Sequence, residues 1–145
     1  MPHLDYGDVI WQLAAKIHLD QLQKLQNRAG RIILRVKPTE HKSTNQIHDI
    51  LNWEYLQNRT IRHTCSMMYK ILHNMAPEYL RDRFIYKSTR YSLRQSGKLS
   101  LPKPNTQNCK RTFLYRGSKL YNDIPIDIRT SSSLNIFNKS IKHKI

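Results

Sequence analysis

The stretch that decides the fold is Asn52 to Leu80, N-W-E-Y-L-Q-N-R-T-I-R-H-T-C-S-M-M-Y-K-I-L-H-N-M-A-P-E-Y-L. Trp53, Leu56, Thr60, Thr64, Met67, Met68, Ile71, Leu72 and Met75 recur every three or four residues, which gathers them on one side of a 3.6-residue helix. Asn52 can cap that helix by accepting an orphan backbone N–H of its first turn. At the far end Pro77 biases the residue before it away from helical geometry and suits the first turn of a following helix. A long helix, a break near Asn74 and a short helix from Pro77 to Phe84 are therefore expected. The polar side of the long helix carries Arg59, Arg62, His63 and Lys70, with no acid after Glu54.

Working outward, Leu19, Leu22, Leu25, Ala29, Ile32, Ile33 and Val36 trace the apolar side of an earlier helix. Lys24, Arg28, Arg31 and Arg35 fall within about 60° of one another beside it, at 100° per residue. Such a basic ridge either follows a phosphate backbone or remains a solvated face. Ser43 or Thr44 should cap a short helix through Ile47, Ile50 and Leu51. Beyond Phe84 the helical period fades into a Ser-, Thr- and Pro-rich segment. There Arg90, Arg94, Lys110 and Arg111 alternate with Tyr91 and Phe113. Cations beside aromatic rings suit a single strand, the charges meeting phosphates and rings such as Tyr91 and Phe113 stacking on bases; the competing reading is a basic loop whose rings anchor it to the core. Phe113, Gly117, Leu120 and Tyr121 share a helix side, with Gly117 permitting close approach, and Leu134, Phe137 and Ile141 share another after Ser131 to Ser133.

The expected fold is mainly α, a single domain or fragment over 1–145. Helices are placed at about 19–36, 45–52, 53–74, 77–84, 112–122 and 133–143. A helical half over 1–84 precedes a basic, loop-rich half over 85–145, with an irregular loop or hairpin at about 85–111.

Charge narrows the function. The chain holds 25 Lys and Arg against 10 Asp and Glu, a formal +15. Residues 1–57 hold 7 basic and 6 acidic side chains, so +14 of that charge lies after Gln57. Self-repulsion on this scale is relieved by a polyanion, and nucleic acid, RNA or single-stranded DNA, is the leading partner. No run approaches the roughly 18 apolar residues of a membrane span, and no leader pattern opens the sequence, so an intracellular, nuclear or cytoplasmic protein without a membrane partner is expected. Cys65 and Cys109 lack metal-ligand or C-x-x-C spacing and read as reduced thiols. The histidines show no ligand spacing, and neither a phosphate-binding loop nor a nuclease cluster of acids is present. No cofactor, no metal site and no catalysis are expected. The apolar opening around Leu4, Tyr6 and Trp11 reads as an interface for another chain or for self-association, or else as an element packed on its own core.

Six collinear blocks carry a resemblance: P-H-L-D-Y-G-D-V-I-W (Pro2 to Trp11), L-D-Q-L-Q-K-L-Q-N-R-A-G-R-I-I-L (Leu19 to Leu34), L-N-W-E-Y-L-Q-N-R (Leu51 to Arg59), M-M-Y-K-I-L-H-N-M-A-P-E-Y-L (Met67 to Leu80), L-P-K-P-N-T (Leu101 to Thr106) and F-L-Y-R-G-S-K-L-Y-N-D-I-P (Phe113 to Pro125). Together they resemble the region downstream of the polymerase core in reverse transcriptases of jockey-type non-LTR retrotransposons. Tyr121 departs from the family's more frequent Trp, and Thr60 from a second Arg. The resemblance implies thumb-like helices that hold template and primer. The Tyr/Phe-x-Asp-Asp motif that holds the catalytic metals in that family is absent from these residues, so the resemblance implies a non-catalytic fragment. The alternative is a decayed remnant acting, if at all, as a helical protein-interaction module.

Overall fold

The computed structural model describes residues 2–11, 14, 16–37, 40–88, 97–142 and 144. Helix accounts for 65% of the chain, which makes the fold mainly α. The chain forms two compact units, Met1–Thr60 and Ile61–Ile145. The division falls within a helix, and residues on both sides of 84 build one core in the second unit.

The first unit contains α1 (Pro2–Asp5), α2 (Asp8–Trp11), α3 (Lys16–Ile33), α4 (Thr44–Leu51) and the opening of α5 (Leu56–Leu72). Of the two expected candidates it is Ser43 that caps α4: its hydroxyl accepts from the Gln46 N–H, and the Gln46 side chain returns to the Ser43 N–H, a reciprocal capping box. Gly30 is buried where α3 meets α4. A Cβ there would lie 2.7 Å from the Ile47 Cγ2 and 3.4 Å from the Trp53 ring, so the absence of a side chain sets how closely the helices approach.

Asn52 ends α4 instead of starting α5. It sits in the left-handed conformation at φ 50°, ψ 43°, while the Trp53 N–H reaches back to the His48 carbonyl at 2.8 Å. Asparagine serves both roles, since a short amide side chain caps a start and also tolerates the left-handed stop. Trp53 consequently lies off the long helix, half-buried and edge-on to His48. Arg35 and Asn74 repeat the device after α3 and α5, at φ 49° and 58°. The Val36 N–H returns to Arg31 at 3.0 Å and the Met75 N–H to Lys70 at 2.8 Å. The expected break near Asn74 is thus present, whereas α3 stops at Ile33 rather than Val36.

α3 also buries a different side from the one its aliphatics suggest. Gln26 and Gly30 are buried, while Leu25, Ile32 and Ile33 are exposed. Gln23 donates to the side-chain oxygens of Gln26 and Asn27 at 2.9 Å and accepts from the Leu56 N–H at 3.0 Å; Gln26 donates to the Glu54 carbonyl at 3.1 Å. The first N–H of α5 is therefore capped by a glutamine from another helix, and that polar network fixes the rotation of α3.

The second unit contains the rest of α5, then α6 (Glu78–Arg81), α7 (Gln107–Arg111), α8 (Phe113–Asp123), α9 (Ile126–Arg129) and α10 (Leu134–Lys142). Cys65, Met68, Tyr69 and Ile71 of α5 meet Phe84, Leu99, Tyr121, Phe137 and Ile141 in its core. Met67 and Met75, expected in the stripe, are exposed; Cys65 and Tyr69 take their place. The Tyr69 hydroxyl donates to the Ser131 carbonyl at 2.5 Å, and its ring stacks on His73 at 3.8 Å and near Phe137 at 4.4 Å. Gly117 is buried against Met68, where a Cβ would meet the sulfur at 2.9 Å.

α6 is shorter than the expected 77–84 because the chain turns at Asp82 and Arg83 to send Phe84 inward. Residues 89–96 lie outside the described residues, and the described part of 85–111 carries two ordered features. Thr106 caps α7, and Tyr86 pairs antiparallel with Leu99 through Lys87 N–H to Lys98 at 2.9 Å and Ser100 N–H to Ile85 at 2.7 Å. The Asn122 amide completes the opposite side of Leu99, accepting from its N–H at 2.8 Å and donating to its carbonyl at 2.9 Å.

Candidate nucleic-acid interface

In the first unit the basic ridge is built on α3. Lys24, Arg28 and Arg31 are exposed along it, spanning about 10 Å at 1.5 Å per residue. Arg35 is exposed just beyond the helix end, held there by the left-handed turn rather than by helical register. Among the described residues, acids pair with Lys42 (Glu40, 3.6 Å) and Arg59 (Asp5), and none pairs with these four cations. They present uncompensated charge to solvent.

Arg59 departs from the expectation. Its guanidinium donates to both carboxylate oxygens of Asp5, and the pair is partly buried, tying α1 to the start of α5. A partly buried ion pair of this kind, with Nη2 shared between both oxygens, holds the cation in place and neutralises it. It is removed from the candidate surface for that reason.

The second unit offers separate cations. Lys70 is exposed on α5, and Lys110 and Arg111 are exposed on α7. Arg62 is half-buried and engaged within the structure. Arg116 is half-buried on α8, where desolvation holds its pKa below the usual guanidinium range. The buried Arg129, which the sequence pattern did not single out, donates from Nη1 to the Gly97 carbonyl at 2.7 Å and lies 5.7 Å from the Tyr121 ring centroid. It is a core cation, and nothing in its neighbours' spacing signals that. Arg90, Arg94 and Tyr91 lie outside the described residues. Phe113 is half-buried with its ring edge-on to Phe84, centroids 6.1 Å apart, and packs against the core of the second unit.

The apolar opening is divided. Leu4 and Trp11 are half-buried, the Trp11 indole N–H donating to the Tyr6 carbonyl at 3.1 Å, while Tyr6 is 88% exposed and Ile10 is 73% exposed. Both cysteines are free thiols. Burial, with the Asp123 charge adding to it, pushes the Cys65 thiol up to about 12, so it stays protonated and unreactive at neutral pH. It lines an apolar pocket of about 160 Å³ with Ile61, Leu120, Ile124 and Ile141, which Asp123 and Lys144 also border. No helix among the described residues is long and apolar enough to cross a membrane.

No family model, curated protein or solved structure matches this chain.

Proposed function

We infer that the chain is a non-catalytic nucleic-acid-holding fragment of a retrotransposon RNA-directed DNA polymerase, contacting RNA or single-stranded DNA through its sugar-phosphate backbone. The observation that carries this reading is the row Lys24, Arg28, Arg31 and Arg35, exposed and unpaired in ion pairs among the described residues. The formal +15 supports it, as does the family resemblance. Lys70, Lys110 and Arg111 supply further cations in the second unit. Backbone contacts of this kind position a strand without reading its sequence.

Fluorescence anisotropy with a labelled single strand, titrated at several salt concentrations, tests the reading. Four neutralised phosphates give a log–log salt slope of about −2.8. Arg28→Glu with Arg31→Glu flattens that slope while circular dichroism stays unchanged. Absence of binding at low salt by folded chain overturns the proposal. A protein-interaction module is the second reading, favoured by the exposed Tyr6 and Ile10; it expects Tyr6→Ser to abolish association with a polymerase core or a second copy and no salt-dependent strand binding.

A further inference from the structure

Two exposed aliphatics of α3, Leu25 and Ile32, belong to an ordered row. His18, Leu22, Leu25, Ala29 and Ile32 follow one another at intervals of four, three, four and three residues, the spacing of a coiled-coil seam. At 100° per residue Leu22, Leu25, Ala29 and Ile32 lie within about 80° of one another. Leu25 is 58% exposed and Ile32 68% exposed, and Leu22 and Ala29 are half-buried at the seam's inner edge. The polar network through Gln23, Gln26 and Asn27 holds this side of the helix outward. A folded chain that keeps Leu25 and Ile32 in water by such a lock presents an association surface.

We propose that this seam docks an amphipathic helix of a partner protein, one that carries its own leucine-type seam beside a row of Asp or Glu. Three features choose that occupant. The seam is narrow, about 80° of the helix with Ile33 widening it at its C-terminal end, which matches the knobs of a facing helix better than the broad apolar face an interfacial helix lays into a bilayer. Its one open flank is the ridge Lys24, Arg28 and Arg31, and the other is occupied by α4, which Gly30 brings close. A second copy of this chain would bring an identical basic ridge against the first, whereas an acidic helix satisfies it. The seam stands independently of strand binding, yet it shares the ridge, so a docked acidic helix and a nucleic-acid strand exclude one another.

The test uses the full chain and two synthetic helical peptides of four heptads with Leu at a and d, flanked in one by Glu and in the other by Lys. Anisotropy or calorimetry should show binding of the Glu-flanked peptide only. Leu25→Ser with Ile32→Ser should weaken it by about tenfold or more, because two aliphatic side chains lose their burial. Both positions are exposed in the free chain, so helicity and melting should be unchanged, and strand binding should keep its salt slope. Arg28→Glu with Arg31→Glu should weaken both ligands, and a single strand should displace the peptide. Equal binding of the two peptides, or insensitivity to the serine pair, overturns the proposal. So does self-association in analytical ultracentrifugation that the serine pair abolishes, or serine-sensitive binding to phosphatidylserine vesicles in place of the peptide. If strand binding fails while the Glu-flanked peptide binds, the seam survives and the strand reading alone falls.

Discussion

Arg35 meets two demands at once. Its backbone stops α3 in the left-handed region at φ 49°, where a β-carbon is strained, and its guanidinium extends the basic ridge. Arg35→Gly separates them. Stability should rise by about 0.5–1 kcal/mol in urea unfolding, since glycine adopts that conformation without the strain, although its looser unfolded chain offsets part of the gain. Strand affinity should fall and the salt slope should shrink by about 0.7, one phosphate's worth. At this scale the sequence was legible wherever one residue type has one use. A helix start at Ser43 or Thr44 could be read, and Gly117 as a close approach. Asn52 was not so legible, because its amide suits either end of a helix, and only the Trp53 N–H returning to His48 distinguishes the two.

Among the elements, α3 shows why periodicity locates a helix without fixing its rotation. The aliphatics Leu25, Ile32 and Ile33 define an apolar side, but α5 opens without a Ser, Thr, Asp or Asn before Leu56, and its first N–H needs an acceptor. Gln23 provides it, and Gln26 ties down the Glu54 carbonyl. The helix turns its glutamines inward in consequence. Gln26→Leu therefore tests the account. A hydrophobicity argument alone expects a buried leucine to stabilise; the network predicts a loss of about 1–3 kcal/mol in chemical denaturation, since the Gln23 amide and the Glu54 carbonyl lose a partner. The same reasoning explains the candidate site. The exposure of Lys24, Arg28 and Arg31 could be read from their spacing, whereas the pairing of Arg59 with Asp5, 54 residues away, depends on how the chain folds back and leaves no local signal.

For the molecule as a whole, alkaline pH opposes the folded state through two buried groups. Burial raises the Cys65 thiol from 9.0 to about 12, and burial together with the neighbouring Tyr86 raises the Tyr121 phenol above its usual 10.0. Both groups ionise more readily in the unfolded chain. The stability they contribute is complete below pH 9 and is lost as pH climbs past the unfolded values, at about 1.4 kcal/mol per pH unit for each group titrating. Melting temperature should accordingly fall from about pH 9 upward, and Cys65→Ala should make the fall shallower by one group; a flat profile to pH 11 would contradict the burial of both. The Tyr121 helix also governs how the chain behaves when crowded. A bridged pair such as Tyr86 and Leu99 ordinarily leaves outward backbone groups on which a neighbouring chain can template, the first step of edge-to-edge aggregation. At Leu99 the Asn122 amide already occupies both groups, as a third strand would. One side chain thus closes that edge, and a colliding molecule finds no backbone there to extend.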